Sequence, residues 1–210
     1  ARMARAEVFA PDEIAIVHVM NRTVRRCFLL GDDPVSGKNF DHRKDWMEDQ
    51  LEIQARHFGI DLICYALMSN HFHLILRSRP DVVATWDDAE VARRWLMLCP
   101  KRKPSKRQPS KKESLSNGSS KNRRKEAQAP EPTQAEINAI VNDPMEVQEL
   151  RSRLSDISWW MRLLSQKIGS RANRDDNEVG KFWQSRFKGV KLLDEASVLA
   201  CAAYVDLNPI

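Results

Sequence analysis

Two histidines separated by one phenylalanine, His71 and His73, lie inside the apolar stretch MSNHFHLIL at residues 68–76. In a β-strand, residues two positions apart share one face, which places these imidazoles side by side, roughly 7 Å apart along the backbone. Two neighbouring neutral imidazoles can ligate one divalent cation. The same spacing suits two buried histidines that are satisfied by hydrogen bonds. The spacing alone leaves both interpretations open.

A second pair of polar residues lies near the end of the chain. Tyr204 and Asn208, in AAYVDLNPI, are four residues apart and share one face of a predicted helix. An oxygen ligand beside two imidazoles favours Mg²⁺ or Mn²⁺, whereas imidazoles alone suit zinc or copper. Tyr204 also fits a half-buried core position, and Asn208 fits a helix end before proline. The pattern by itself does not bring this pair to the histidines.

Apolar runs and periodicity predict the elements that position these residues. Strands are predicted over 14–20, 60–68 and 71–77, with the last two forming a hairpin, and a short strand over 27–30 is predicted to pair with the first. Helices are predicted over 39–58, 87–98, 134–142 and 145–168, and a last one after Asp194 follows a strand-like segment at 181–193. Hairpin connections without βαβ crossovers predict an α+β fold, with an antiparallel central sheet and flanking helices.

The basic charge of the chain is concentrated in one segment. Residues 101–130 carry eleven Lys or Arg and two Glu, a net charge of +9, which leaves 23 basic and 27 acidic residues, or −4, elsewhere. The segment is rich in Ser, Pro and Lys, a composition typical of disorder, and it fits either non-specific DNA binding or a solvated linker. We therefore predict one domain over 1–210, containing a disordered basic insertion at 101–130 and a helical insertion at 131–172.

Several classes of protein are disfavoured by composition. No run approaches the ~18 apolar residues that a membrane span needs. The four cysteines are widely spaced without a CxxC pair, which argues against a zinc ribbon or a disulfide framework and fits a reducing cytoplasm. The first residues, ARMARAEVFAPDE, lack the apolar stretch of a signal peptide.

Three segments in order, LMSNHFHLIL, GKFWQSRF and YVDLNPI, resemble the HUH single-strand DNA endonucleases of the single-tyrosine class. The resemblance is closest to the REP-associated tyrosine transposases, relatives of the small single-strand insertion-sequence transposases, and covers residues 14–80 and about 178–210. It implies a ferredoxin- or RRM-like fold. It also implies that His71, His73 and Asn208 bind Mg²⁺ or Mn²⁺, and that Tyr204 cleaves and rejoins DNA through a 5′-phosphotyrosine.

The implied partner is single-stranded DNA, in the family next to imperfect hairpins. Basic residues of the first loop and around the last strand are the predicted DNA contacts: Arg22, Arg25, Arg26, Lys181, Arg186 and Lys188. Phe182 and Trp183 either stack on bases or pack in the core. His18, in the first strand, is either a helper of the site or a structural residue. The resemblance implies a bacterial-type, cytoplasmic and nucleoid-associated protein, and leaves monomer and homodimer open.

Two other functions remain open from the sequence. One is a non-catalytic nucleic-acid-binding domain that retains the fold. The other is a metal-dependent hydrolase that uses the histidine pair without a covalent intermediate.

Overall fold

A computed structural model describes residues 12–24, 27–100 and 130–207, and within them four strands form one antiparallel sheet. The strands are β1 (Ile16–Arg22), β2 (Ile60–Leu67), β3 (His71–Ser78) and β4 (Lys188–Leu192), in the order β2-β3-β1-β4. The helices are α1 (His42–His57), α2 (Pro80–Ala84), α3 (Asp88–Leu98), α4 (Gln134–Val141), α5 (Pro144–Ser155), α6 (Ile157–Asp176) and α7 (Glu195–Asp206). The predicted α+β class with an antiparallel sheet is confirmed.

The main core lies between one face of the sheet and helices α1 to α6. Alternate residues of β1 and β3 point to it, and Val17, Val19, Phe72, Leu74 and Leu76 are fully buried there. This alternation is the period of two that the pleat imposes on a strand with one buried face. Each such side chain contributes roughly 1.5–3 kcal/mol through removal of apolar surface from water.

Helix α7 packs on the opposite face of the sheet. A small apolar cluster of Ala66, Ile75 and Val205 joins α7 to β2 and β3. Asp194 begins this helix as predicted, because its carboxylate accepts a hydrogen bond from the backbone N–H of Ser197 at 2.6 Å. The histidines of β1 and β3 lie on this more thinly covered face.

The predicted hairpin over 60–77 is confirmed, whereas the predicted strand over 27–30 is wrong. β2 and β3 pair antiparallel, and the N–H of Met68 donates to the carbonyl of His71 across the turn. Residues 27–30 form no strand, because both edges of β1 are already paired, with β3 and with β4. The N–H groups of Leu29 and Leu30 donate instead to the carbonyl of Ser69.

Two other predicted elements are divided or shortened. The helix predicted over 145–168 is interrupted at Asp156, which ends α5 and caps α6 by accepting from the N–H of Ser158. The strand predicted over 181–193 is limited to β4, because the residues before it form a loop that buries Phe182 and Phe187. The basic segment predicted as disordered lies, apart from Pro130, outside the described residues.

Candidate active site around the histidine pair

His71 and His73 lie side by side on β3, on the face of the sheet that α7 covers. Their ring centroids are 5.2 Å apart in an edge-to-face arrangement. Phe72 between them points to the main core and is fully buried. His73 is 3% exposed, while His71 is half-buried at the start of the strand. The strand period therefore separates one anchoring side chain from two imidazoles.

A third histidine, His18, joins the pair from the neighbouring strand. Its Nε2 lies 2.8 Å from Nδ1 of His73, and the two rings stack with centroids 5.0 Å apart. The register explains this contact, since His18 is opposite Ile75 and therefore diagonal to His73 on the same face. The structure places His18 in direct contact with His73, which is compatible with both interpretations left open for it, a helper of the site and a structural residue.

The hydrogen bonds to these rings determine which nitrogens remain available. Nδ1 of His71 lies 2.7 Å from Oδ1 of Asn70, an acceptor, so Nδ1 carries the proton and Nε2 keeps its lone pair. Nε2 of His73 is buried and has no hydrogen-bond partner among the described residues. A buried polar atom without a hydrogen-bond partner destabilises the fold, and a bound ligand at this atom would remove that cost.

Burial keeps all three imidazoles in the neutral form at neutral pH. Burial, followed by the neighbouring His18 and His71, lowers the pKa of His73 to about 4. Burial lowers the pKa of His18, and burial together with the charge of Arg22 lowers the pKa of His71. A neutral imidazole is the form that binds a metal ion.

Tyr204 reaches the histidines from α7. Its ring meets that of His73 edge to face, with centroids 5.7 Å apart and an angle of 86° between the planes. Val205, the next residue, is fully buried against the sheet and anchors the helix at this position. The Tyr204 side chain remains 53% exposed, which leaves the phenol open to a large substrate. The structure thus brings together residues that are 131 positions apart in the chain.

The residues present fit a metal ion only in part. The Nε2 atoms of His71 and His73 are the two candidate ligands, because the other ring nitrogens are engaged. Within residues 12–24, 27–100 and 130–207, no group of three or more His, Cys, Asp or Glu is arranged to hold a metal. α7 ends at Asp206, and the predicted third ligand, Asn208, lies outside the described residues.

Four of the six predicted DNA contacts lie around the same end of the sheet. Arg22 is exposed at the end of β1, directly opposite His71 in the register, and Lys188 begins β4. Lys181 and Arg186 are exposed in the loop that leads to β4. Arg25 and Arg26 lie outside the described residues.

The two aromatic residues with open roles differ in their surroundings. Phe182 is buried in the main core, in agreement with the packing interpretation. Trp183 is partly buried, meets the ring of Phe72 edge to face, and donates its indole N–H to the carbonyl of Ser165 at 2.7 Å. Asn70, which sequence reasoning treated only as a turn residue, orients His71. The feature of the sequence that could have identified Asn70 is its position directly before His71, in the turn between the two predicted strands of the hairpin.

No protein-family model, curated protein or solved structure matches this chain. In the described part of the chain, no helix combines the length and the apolar character needed to cross a membrane.

Proposed function

We propose that this chain is a metal-dependent single-strand DNA endonuclease and transposase that cleaves and rejoins strands through Tyr204. The observation that carries the proposal is the contact between the exposed Tyr204 and His73, whose buried Nε2 has no partner among the described residues. The resemblance of the three sequence segments supports the same chemistry.

In the proposed reaction, the phenolic oxygen of Tyr204 attacks the phosphorus of a phosphodiester. A bond forms between this oxygen and phosphorus, the bond to the 3′ oxygen breaks, and the leaving oxygen takes up a proton while the phenol loses one. The products are a 5′-phosphotyrosine and a free 3′-hydroxyl. Attack of a 3′-hydroxyl on the phosphotyrosine reverses the exchange and joins strands, so no nucleotide cofactor is consumed.

The phenol needs help, because a tyrosine hydroxyl that keeps its proton is a weak nucleophile. Mg²⁺ or Mn²⁺ held by the Nε2 atoms of His71 and His73 would supply polarisation of the scissile phosphate. His18 and Asn70 hold the other nitrogens of these two rings and so fix their orientation. Arg22 is exposed and opposite His71 in the register, and a cationic side chain at this position supports the proposed attraction of the DNA backbone.

The decisive experiment compares the two tyrosines of the chain. Single-stranded oligonucleotides labelled at the 3′ end are incubated with protein and Mg²⁺ or Mn²⁺, and then separated on denaturing gels. The label should move to the protein, while a 5′ label should appear on a shorter free strand. Tyr204→Phe should abolish the adduct, and chelation of the metal should do the same.

Tyr65→Phe is the matched control, since Tyr65 is also exposed but lies on β2, where it donates to Glu48. This variant should form the adduct at the wild-type level. An adduct that persists in Tyr204→Phe would refute Tyr204 as the nucleophile. Repeated turnover without any protein–DNA linkage would favour a metal-dependent hydrolase.

A second candidate function is a nucleic-acid-binding domain without cleavage. The observation that favours it is the hydrogen bond of 2.8 Å between His18 and His73, because histidines that are satisfied by one another also suit a structural role. This alternative predicts that oligonucleotides bind equally well to wild type and Tyr204→Phe, with or without a chelator, and that no adduct forms with any oligonucleotide.

A further inference from the structure

A cavity of about 520 Å³ lies between α6 and the loop that precedes β4. Asn21 of β1 lines it from the core face of the sheet, and aromatic side chains of Trp159, Trp183 and Phe187 form walls. The guanidinium groups of Arg162 and Arg186 complete the lining. The volume is in the range of a small-molecule or cofactor site.

We propose that this cavity binds one unpaired nucleobase of single-stranded DNA, with Arg162 and Arg186 contacting the adjoining phosphates. The identity of the strand rests on the proposed function, whereas the pocket itself is argued from its own residues. Half of its lining residues lie on α6, in the part of the chain that the sequence resemblance does not cover, and the other half lie in the segments that it covers.

The aromatic wall is held in a fixed position, as stacking on a base requires. Trp183 donates its indole N–H to the carbonyl of Ser165, and its ring is nearly perpendicular to the rings of Phe72 and Phe182 that contact it. Gly169 permits this approach, because a Cβ there would lie 3.1 Å from the indole nitrogen. Stacking of one base on an aromatic side chain contributes binding energy for every base type, since each base has a π-face.

A buried amide gives the cavity a polar group suited to a base edge. Asn21 is 4% exposed, donates to the hydroxyl of Ser165 at 3.2 Å and accepts from the N–H of Arg22 at 3.0 Å. A side-chain amide has two donor hydrogens and two acceptor lone pairs, so one of each remains beyond these bonds. Paired donor and acceptor groups of Asn are suited to the edges of nucleobases.

Two cationic groups at the cavity match a phosphate better than an uncharged ligand. Arg162 and Arg186 are both exposed, and within the described residues no carboxylate lies within 4.0 Å of either guanidinium. Arg162 lies over the ring of Trp159, 4.5 Å from its centroid, and Arg153 also lies over this ring at 4.4 Å. Trp159 therefore holds the charge of Arg162 at the cavity, and Trp183 is the surface on which the base stacks. Guanidinium groups are preferred partners of phosphates.

The cavity and the histidine pair occupy opposite faces of the same sheet end. Asn21 precedes Arg22 in β1, and these residues are opposite Phe72 and His71 in β3. A single strand that crosses this end of the sheet can therefore present one phosphodiester to Tyr204 and a neighbouring base to the cavity.

The test uses deoxyadenosine 5′-monophosphate, which has a base and a phosphate but no scissile linkage between nucleotides. Saturation-transfer NMR should show the adenine protons in contact with the wild-type chain. Ser158→Phe fills the cavity and Arg162→Gln removes one charge, and each should weaken binding at least fivefold. Arg174→Gln is the matched control: Arg174 is exposed near the end of the same helix and should leave the affinity within twofold.

Deoxyribose 5-phosphate, which lacks the base, should bind at least fivefold more weakly than the nucleotide. The proposal would be overturned if wild type and all variants bound the nucleotide equally well, or if the wild type bound the two probes equally well. It would also be overturned if the wild type did not bind the nucleotide. Arg162→Gln keeps the test valid if Ser158→Phe does not fold.

The two proposals fail separately. If Tyr204 forms the adduct but Ser158→Phe and Arg162→Gln do not change the affinity for the nucleotide, the proposed function stands and the proposed role of the cavity is refuted. If the two variants weaken nucleotide binding but no adduct forms, the role of the cavity stands and the proposed cleavage chemistry is refuted.

Discussion

Replacement of His73 should make the fold less sensitive to acid. His73 is 3% exposed, and burial, followed by the adjoining His18 and His71, lowers its pKa to about 4. In the unfolded chain its pKa returns to the ordinary value of 6.5. Between these two values the unfolded chain binds a proton that the folded chain does not. Stability is therefore fully retained above pH 6.5 and falls as the pH decreases towards 4.

The size of this effect follows from the difference between the two pKa values. Each pH unit of difference corresponds to about 1.4 kcal/mol, so the full loss at pH 4 is of the order of 3 kcal/mol. At pH 5, one and a half units below the unfolded value, the expected loss is about 2 kcal/mol relative to pH 8. This is a large fraction of the stability of an ordinary domain, which is about 5–15 kcal/mol.

The assay is urea unfolding at pH 8 and pH 5, followed by tryptophan fluorescence. The wild type should lose about 2 kcal/mol more than His73→Gln when the pH falls from 8 to 5. Ile75→Val is the control, because it removes one buried methylene from the same face without removing a titratable group, and it should keep the wild-type pH dependence. The reasoning would be refuted if His73→Gln and wild type lost equal stability between the two pH values.

Three further predictions concern residues that hold the fold together. Arg43→Met should cost about 3 kcal/mol in urea unfolding, because this fully buried arginine pairs with two carboxylates of α6 and donates to a backbone carbonyl. Gly59→Ala should cost about 1–3 kcal/mol, since its Cβ would overlap the side chain of Val83, and adding Val83→Ala should recover part of the melting temperature. Asp194→Ala should lower the free energy of unfolding by about 1 kcal/mol, because the N–H of Ser197 loses its acceptor. Amide hydrogen exchange in the first turn of α7 should become faster in this variant, and Arg43→Met should change that exchange less.

The local pattern of apolar and polar residues was sufficient to predict much of the architecture. The apolar run that contains HFH predicted β3, and its period of two predicted that both histidines share a face opposite Phe72. The Asp194 cap and the hairpin turn were also readable, because each depends on hydrogen bonds within a few residues. The strand at 27–30 failed for the opposite reason. Its prediction required a free edge on β1, and strand pairing elsewhere in the chain decides whether that edge exists.

The sequence by itself determined which residues of β3 and α7 carry imidazoles and a phenol, and on which face of their own element they lie. Only the tertiary structure decided that they meet. The sheet order places β1 beside β3, which brings His18 to His73 across 55 residues, and the packing of Val205 on the sheet brings Tyr204 to the same ring. The cavity beside Asn21 likewise depends on α6 and a distant loop. Such contacts depend on how whole elements pack, and the period of a single strand or helix does not encode them.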